Sequence, residues 1–105
     1  MKIGLSFAAL SLATSLLATG LSAEVTKAKK KILIVSHTTG FRHSSIGTAE
    51  KIIKQIGDTS GIYEVDYCRN GDDVKKMLTP EYLDANHFDG VFFANTTGNI
   101  GIPDT

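Results

Sequence analysis

Two short polar segments carry the residues in this sequence that are suited to chemistry. The first is Ser36-His37-Thr38-Thr39-Gly40-Phe41-Arg42-His43, and the second is Asn95-Thr96-Thr97-Gly98-Asn99. Both are dense in hydroxyls, amides and imidazoles, which pair well with the donors and acceptors of a neutral polyol. Arg42 adds a planar fork of donors. Phe41 can stack on the apolar face of a sugar ring. His43 is the candidate acid or base, because the ordinary imidazole value lies near neutrality. Gly40 and Gly98 let backbone come close to a ligand. The candidate ligand-binding set is therefore His37, Thr39, Gly40, Phe41, Asn95, Thr96, Thr97 and Gly98, with Arg42 and His43 as the candidate catalytic pair.

The same residues admit plainer roles. His37 ends an apolar run and can be a hydrogen-bonded structural histidine. His43 precedes a helix signal and can satisfy its first turn. Arg42 can be a surface ion-pair partner. Asn95-Thr96-Thr97 also matches a glycosylation acceptor, although a strand-end loop accounts for the same residues. His37 and His43 have no acidic or thiol companion at ligand spacing, so no metal is expected. No cofactor is expected either. The sequence has no Walker loop, no G-x-G-x-x-G after its first strand signal and no nucleophile elbow.

The elements that must position these loops alternate along the chain. Ile32-Leu33-Ile34-Val35 is a continuous apolar run, the signature of a strand buried on both faces. A helix follows, started by Ser44 or Ser45 as cap. Its apolar face is expected to comprise Ile46, Ala49, Ile52, Ile53 and Ile56, with Gly57 as its stop. Ile62 to Cys68 reads as a second strand with one wetter face. Asp72 or Asp73 caps a short helical turn bearing Val74, Met77 and Leu78. Thr79-Pro80-Glu81 starts another helix. Val91-Phe92-Phe93-Ala94 is the third strand, and His87 falls at its amino end, away from the two loops.

Strand–helix–strand–helix–strand order predicts parallel pairing through right-handed crossovers. The expected fold is α/β, a Rossmann- or flavodoxin-like doubly wound parallel sheet, truncated after its third strand. In the flavodoxin-like order the first strand lies between the second and third. Ligands of such sheets bind at the carboxyl ends of the strands where the strand order reverses, which is where the two polar loops meet. The third strand would then keep a bare, hydrophobic outer edge, an aggregation hazard.

The beginning of the chain reads as a separate segment. Lys2 is followed by an uncharged stretch from Ile3 to Leu17 and then by small residues up to Ala23. That layout predicts a secretory signal peptide over 1–23, cut after Ala23 or, less favourably, after Gly20. The apolar run is short of the ~20 residues that a membrane span needs. An exported protein, periplasmic or extracellular, with no stable membrane span after cleavage is therefore expected. Residues 24–30 form a linker rich in lysine. Of the chain's 11 basic residues only Lys2 lies in the leader, so 10 basic residues face 11 acidic ones in the remainder. This balance gives no reason to expect a nucleic-acid partner. Cys68 is the sole cysteine of the 105 residues. It excludes an intramolecular disulfide and reads as a packed thiol.

The blocks Lys31-Ile32-Leu33-Ile34-Val35, Gly40-Phe41-Arg42-His43-Ser44 and Phe92-Phe93-Ala94-Asn95-Thr96-Thr97-Gly98 together resemble the trehalose-utilisation (ThuA-like) family. The resemblance spans most of residues 31–101, and residues 31–105 would be the N-terminal half of such a domain. It implies a fold similar to class I glutamine amidotransferases, without the amidotransferase cysteine, and a role in disaccharide metabolism. Arg42 and His43 match the family block in the first loop, and Asn95 to Gly98 match the block in the second. The implied partner is a small sugar or glycoside. An exported carbohydrate-active enzyme, a non-catalytic sugar-binding module and an interaction scaffold all remain open at this point.

Overall fold

The computed structural model describes residues 28–104. The leader expected over 1–23 and most of the linker lie outside them. Among the described residues no helix is long and apolar enough to cross a membrane.

Strand β1 (Lys30–Val35) is followed by helix α1 (Ser45–Ser60), strand β2 (Tyr63–Cys68), helices α2 (Gly71–Met77) and α3 (Pro80–Ala85), and strand β3 (Gly90–Phe93). The three strands form one parallel sheet in the order β2-β1-β3. Ile34 pairs with Tyr67 on one side and Phe92 on the other. The molecule is thus α/β, with an open all-parallel sheet and helices, and the order expected from the sequence holds.

Strand pleat divides the core in two. Leu33, Val35 and Cys68 point to one face and pack with Val74, Met77 and Leu78 of the α2 segment. Tyr82, Leu83, Phe88, Val91 and Ile100 close the sides of that cluster. Ile32, Ile34, Tyr63 and Tyr67 point to the other face. There the Tyr63 hydroxyl donates to the Ile53 carbonyl, which fixes α1 over β2.

Several local expectations change. Gly57 does not stop α1. The helix continues to Ser60, and Gly61, with φ 70°, closes it in the left-handed conformation that glycine adopts without penalty. Gly57 is instead buried where α1 presses on β2. A Cβ there would lie 2.7 Å from the Tyr63 ring and 2.8 Å from the Tyr63 carbonyl oxygen. This contact also turns the helix. At about 100° per residue, Ile46, Ile53 and Gly57 lie nearly in line. Ile52 and Ile56 fall toward the rim and are half exposed, rather than sharing the buried face.

The helix starts differ as well. Ser44 stands at the cap of α1 with a helical backbone and makes no capping bond, because the cap geometry needs an extended residue. Asn70, not Asp72 or Asp73, caps α2. Its side chain accepts from the Asp73 amide at 2.8 Å, while the Asp73 carboxylate accepts from the Arg69 amide at 2.9 Å. Thr79 caps α3 as expected, with Pro80 in its first turn.

Among the described residues β3 pairs only with β1, so its outer edge is bare. Phe92 and Phe93, on opposite faces, are 43% and 48% exposed. An apolar groove of about 290 Å³ runs beside this edge, lined by Leu78, Pro80, Leu83, Val91, Phe93 and Ile102.

Candidate functional site

The two polar loops leave the carboxyl ends of β1 and β3, which are neighbours in the sheet, so they must emerge side by side. Their first partners are each other. The Thr38 hydroxyl lies 2.7 Å from the Thr97 carbonyl and accepts from the Thr97 amide at 2.8 Å. The Thr97 hydroxyl donates to the Phe41 carbonyl at 2.7 Å. The amides of Thr39 and Gly40 both donate to the Thr97 carbonyl at 3.1 Å. The Thr39 hydroxyl donates to the Asn99 carbonyl at 3.0 Å.

Glycine permits this crossing. A Cβ on Gly40 would lie 2.8 Å from the Thr97 hydroxyl oxygen. A Cβ on Gly98, whose φ is 79°, would lie 2.5 Å from the Thr39 hydroxyl oxygen and 2.6 Å from the Gly40 amide nitrogen. The two glycines therefore serve the approach of one loop to the other. The hydroxyls of Thr38, Thr39 and Thr97 are engaged within the crossing.

The side chains that face outward are different ones. Phe41 is 73% exposed, and the His43 ring meets it edge-on, with centroids 4.9 Å apart. The His43 carbonyl accepts from the Ile46 amide at 3.2 Å and so belongs to the first turn of α1. Asn95 is exposed with φ 52°, and its side-chain amide donates to the Ser45 hydroxyl at 3.3 Å. That bond ties the β3 loop to the start of α1. Thr96 is half-buried beside it. Arg42 is exposed and donates through one Nη to the Ser36 carbonyl at 3.1 Å, leaving further N–H donors.

His37 stands apart from this group. It is half-buried, and its Nε2 lies beside Gly71 at the start of α2. Thus the Phe41–His43 pair and Asn95 lie at the α1 start, Arg42 folds back onto Ser36 at the end of β1, and His37 points to the β2 side. The apolar groove at the β3 edge shares no residue with either loop.

Two further residues join the site from behind. They are Glu50 on α1 and Arg69, which directly follows β2. The Glu50 carboxylate accepts from the Ser36 hydroxyl at 2.6 Å and from Arg69 Nε and Nη2, both at 3.2 Å. Burial pushes the Glu50 carboxyl up. The hydrogen bonds from Arg69 and Ser36, with the Arg69 and Arg42 charges, outweigh it and hold the group below the ordinary 4.5. Ser36 itself is 1% exposed, the buried polar residue at the end of β1. Helical spacing held the signal: Glu50 is four residues after Ile46 and so shares its inward side.

Cys68 is fully buried, and burial followed by the Asp73 charge pushes its thiol up to about 11. A group in that state is no nucleophile at neutral pH. Among the described residues no group of three or more His, Cys, Asp or Glu side chains is placed to hold a metal ion.

Compared with protein-family models, characterised proteins and solved structures, the chain gives no significant match.

Proposed function

We propose that the chain is an exported ThuA-like domain with a doubly wound, Rossmann-like fold that acts on trehalose or another disaccharide or glycoside. The site is the junction of the β1 and β3 loops with the start of α1. One observation carries this reading: the loops that bear Phe41, Arg42, His43, Asn95 and Thr96 leave neighbouring strands where the strand order reverses and are locked together by Thr38 and Thr97, with Asn95 tied to the α1 start beside the Phe41–His43 pair. An aromatic face, a cationic fork and amide and hydroxyl groups together suit a sugar, and none of them is sealed in the core. Arg42 and Asn95 orient hydroxyls, Phe41 takes the ring face, and His43 moves the proton if the bond is cleaved.

A binding module without turnover is the second reading. It is supported by the surroundings of His43, which among the described residues meets the Phe41 ring and no carboxylate. The experiment is incubation of the exported protein and its His43→Ala variant with trehalose and a panel of disaccharides. Products from the parent, lost in the variant with its fold intact, support the enzyme. Disaccharide binding without product in either protein supports the module. Absence of both would reject a sugar role.

A further inference from the structure

Glu50 sits at the meeting point of three elements. It projects from α1, accepts from Ser36 at the end of β1, and takes both Nε and Nη2 of Arg69 at the end of β2. Ser36 is held from two sides: its hydroxyl by Glu50 at 2.6 Å, its carbonyl by Arg42 at 3.1 Å. Ser36 also anchors to the sheet through its amide, which donates to the Cys68 carbonyl at 2.9 Å. The path from Glu50 to Arg42 therefore runs through one rigid, buried residue.

The charges favour the same order. The side chain of Glu50 is largely covered, at 15% exposure, whereas that of Arg69 is 55% exposed. A largely covered carboxylate that keeps its charge needs donors arranged around it, and Ser36 and Arg69 are those donors. Arg42 is near enough for its charge to act on Glu50 while its hydrogen bond goes to Ser36. Arg42 thus keeps a set direction with most of its N–H groups unspent.

We infer that Glu50 is the positioning residue of this site: through Ser36 it fixes the guanidinium of Arg42 for a sugar ligand. The inference rests on the proposed sugar-binding reading for its ligand, but its geometric part can be measured without one. Loss of the Glu50 charge frees the Ser36 hydroxyl to seek another acceptor, and the Ser36 carbonyl and Arg42 then drift together.

The test uses the full chain with arginine side-chain and backbone amide NMR. In Glu50→Gln, the Arg42 guanidinium Nη–H signals should broaden or exchange faster, and the amides of His37 to Arg42 should shift, with unchanged helix content by circular dichroism. Ser36→Ala should reproduce the change at Arg42 while leaving Arg69 paired. Lys54→Gln, which breaks the exposed Lys54–Asp58 pair on the same helix, should leave Arg42 unmoved. Trehalose affinity should fall by about tenfold in Glu50→Gln, the size of one charge-assisted hydrogen bond. An unchanged Arg42 signal in Glu50→Gln, or an equal change in Lys54→Gln, overturns the inference. If the parent protein binds no trehalose, the sugar reading fails, and the Arg42 signal still decides the role of Glu50.

Discussion

The hydroxyl of Thr38 accepts the Thr97 amide proton at 2.8 Å, joining two loops that lie 59 residues apart in the chain. The bond closes the crossing above the carboxyl ends of β1 and β3. Replacing Thr38 by Val keeps the shape and leaves the Thr97 amide without its acceptor. Stranding such a group costs about 1–3 kcal/mol. Urea unfolding of Thr38→Val should show a loss of that size, with faster amide exchange at Thr97.

The close approach at Gly98 should be the more demanding point. An alanine there meets the Gly40 amide and must hold φ 79°, a conformation that penalises a side chain. Gly98→Ala should lose roughly 2–4 kcal/mol. Gly101 has a similar φ of 77° but open space around it, so Gly101→Ala should lose only the conformational part. Thermal or urea unfolding of the pair separates steric from backbone cost.

Cys68 should resist modification. With its thiol buried and pushed up to about 11, it should react with iodoacetamide at neutral pH only when the sheet opens. Mass spectrometry over a urea series should show labelling that tracks unfolding. Labelling at full rate in native buffer would contradict the burial.

Acid should weaken the Glu50 hub. The groups facing Glu50 are Ser36 from β1, Arg69 after β2 and Arg42 from the first loop, with Asp73 beside Arg69. The folded carboxyl titrates below 4.5. Its contribution is therefore present above that value and is lost as pH falls through the lower folded one. Stability of the parent should drop more steeply than that of Glu50→Gln below about pH 4.5, measured by thermal unfolding across pH.

The edge of β3 should promote self-association. Phe92 and Phe93 are about half exposed, on opposite faces of a strand whose outer edge is unpaired among the described residues and which has no charge from Gly90 to Ala94. Phe93→Lys should shift sedimentation toward monomer, and Lys54→Gln, on the far helix, should not.

Much of this arrangement is legible in the residues. The apolar runs at Ile32 and Val91 mark strands, and strand–helix alternation then gives the parallel order and the meeting of the two loops; only the first run is buried on both faces, while Phe92 and Phe93 of the second stay about half exposed. What the sequence does not reveal depends on contacts across long separations. Nothing local shows that the hydroxyls of Thr38 and Thr97 bond one another, or that Gly57 serves Tyr63. The spacing of isoleucines in α1 suggests a wide buried stripe, but the press of Gly57 on β2 turns Ile52 and Ile56 to the rim. Glu50 looks like a spacer until the ends of β1 and β2 bring Ser36 and Arg69 to it. Asn70 is missed as a cap because Asp72 and Asp73 are equally suited by type, and only the extended backbone of Asn70 decides.

The most direct measurement is an amide NMR titration of the protein with trehalose. Saturable shifts are expected at Gly40, His43, Thr96 and Gly98, with little change at the β3-edge groove near Leu83 and Ile102. A spectrum unmoved by trehalose and other disaccharides, or one that moves only at the groove, would contradict a sugar site at the crossing of the two loops.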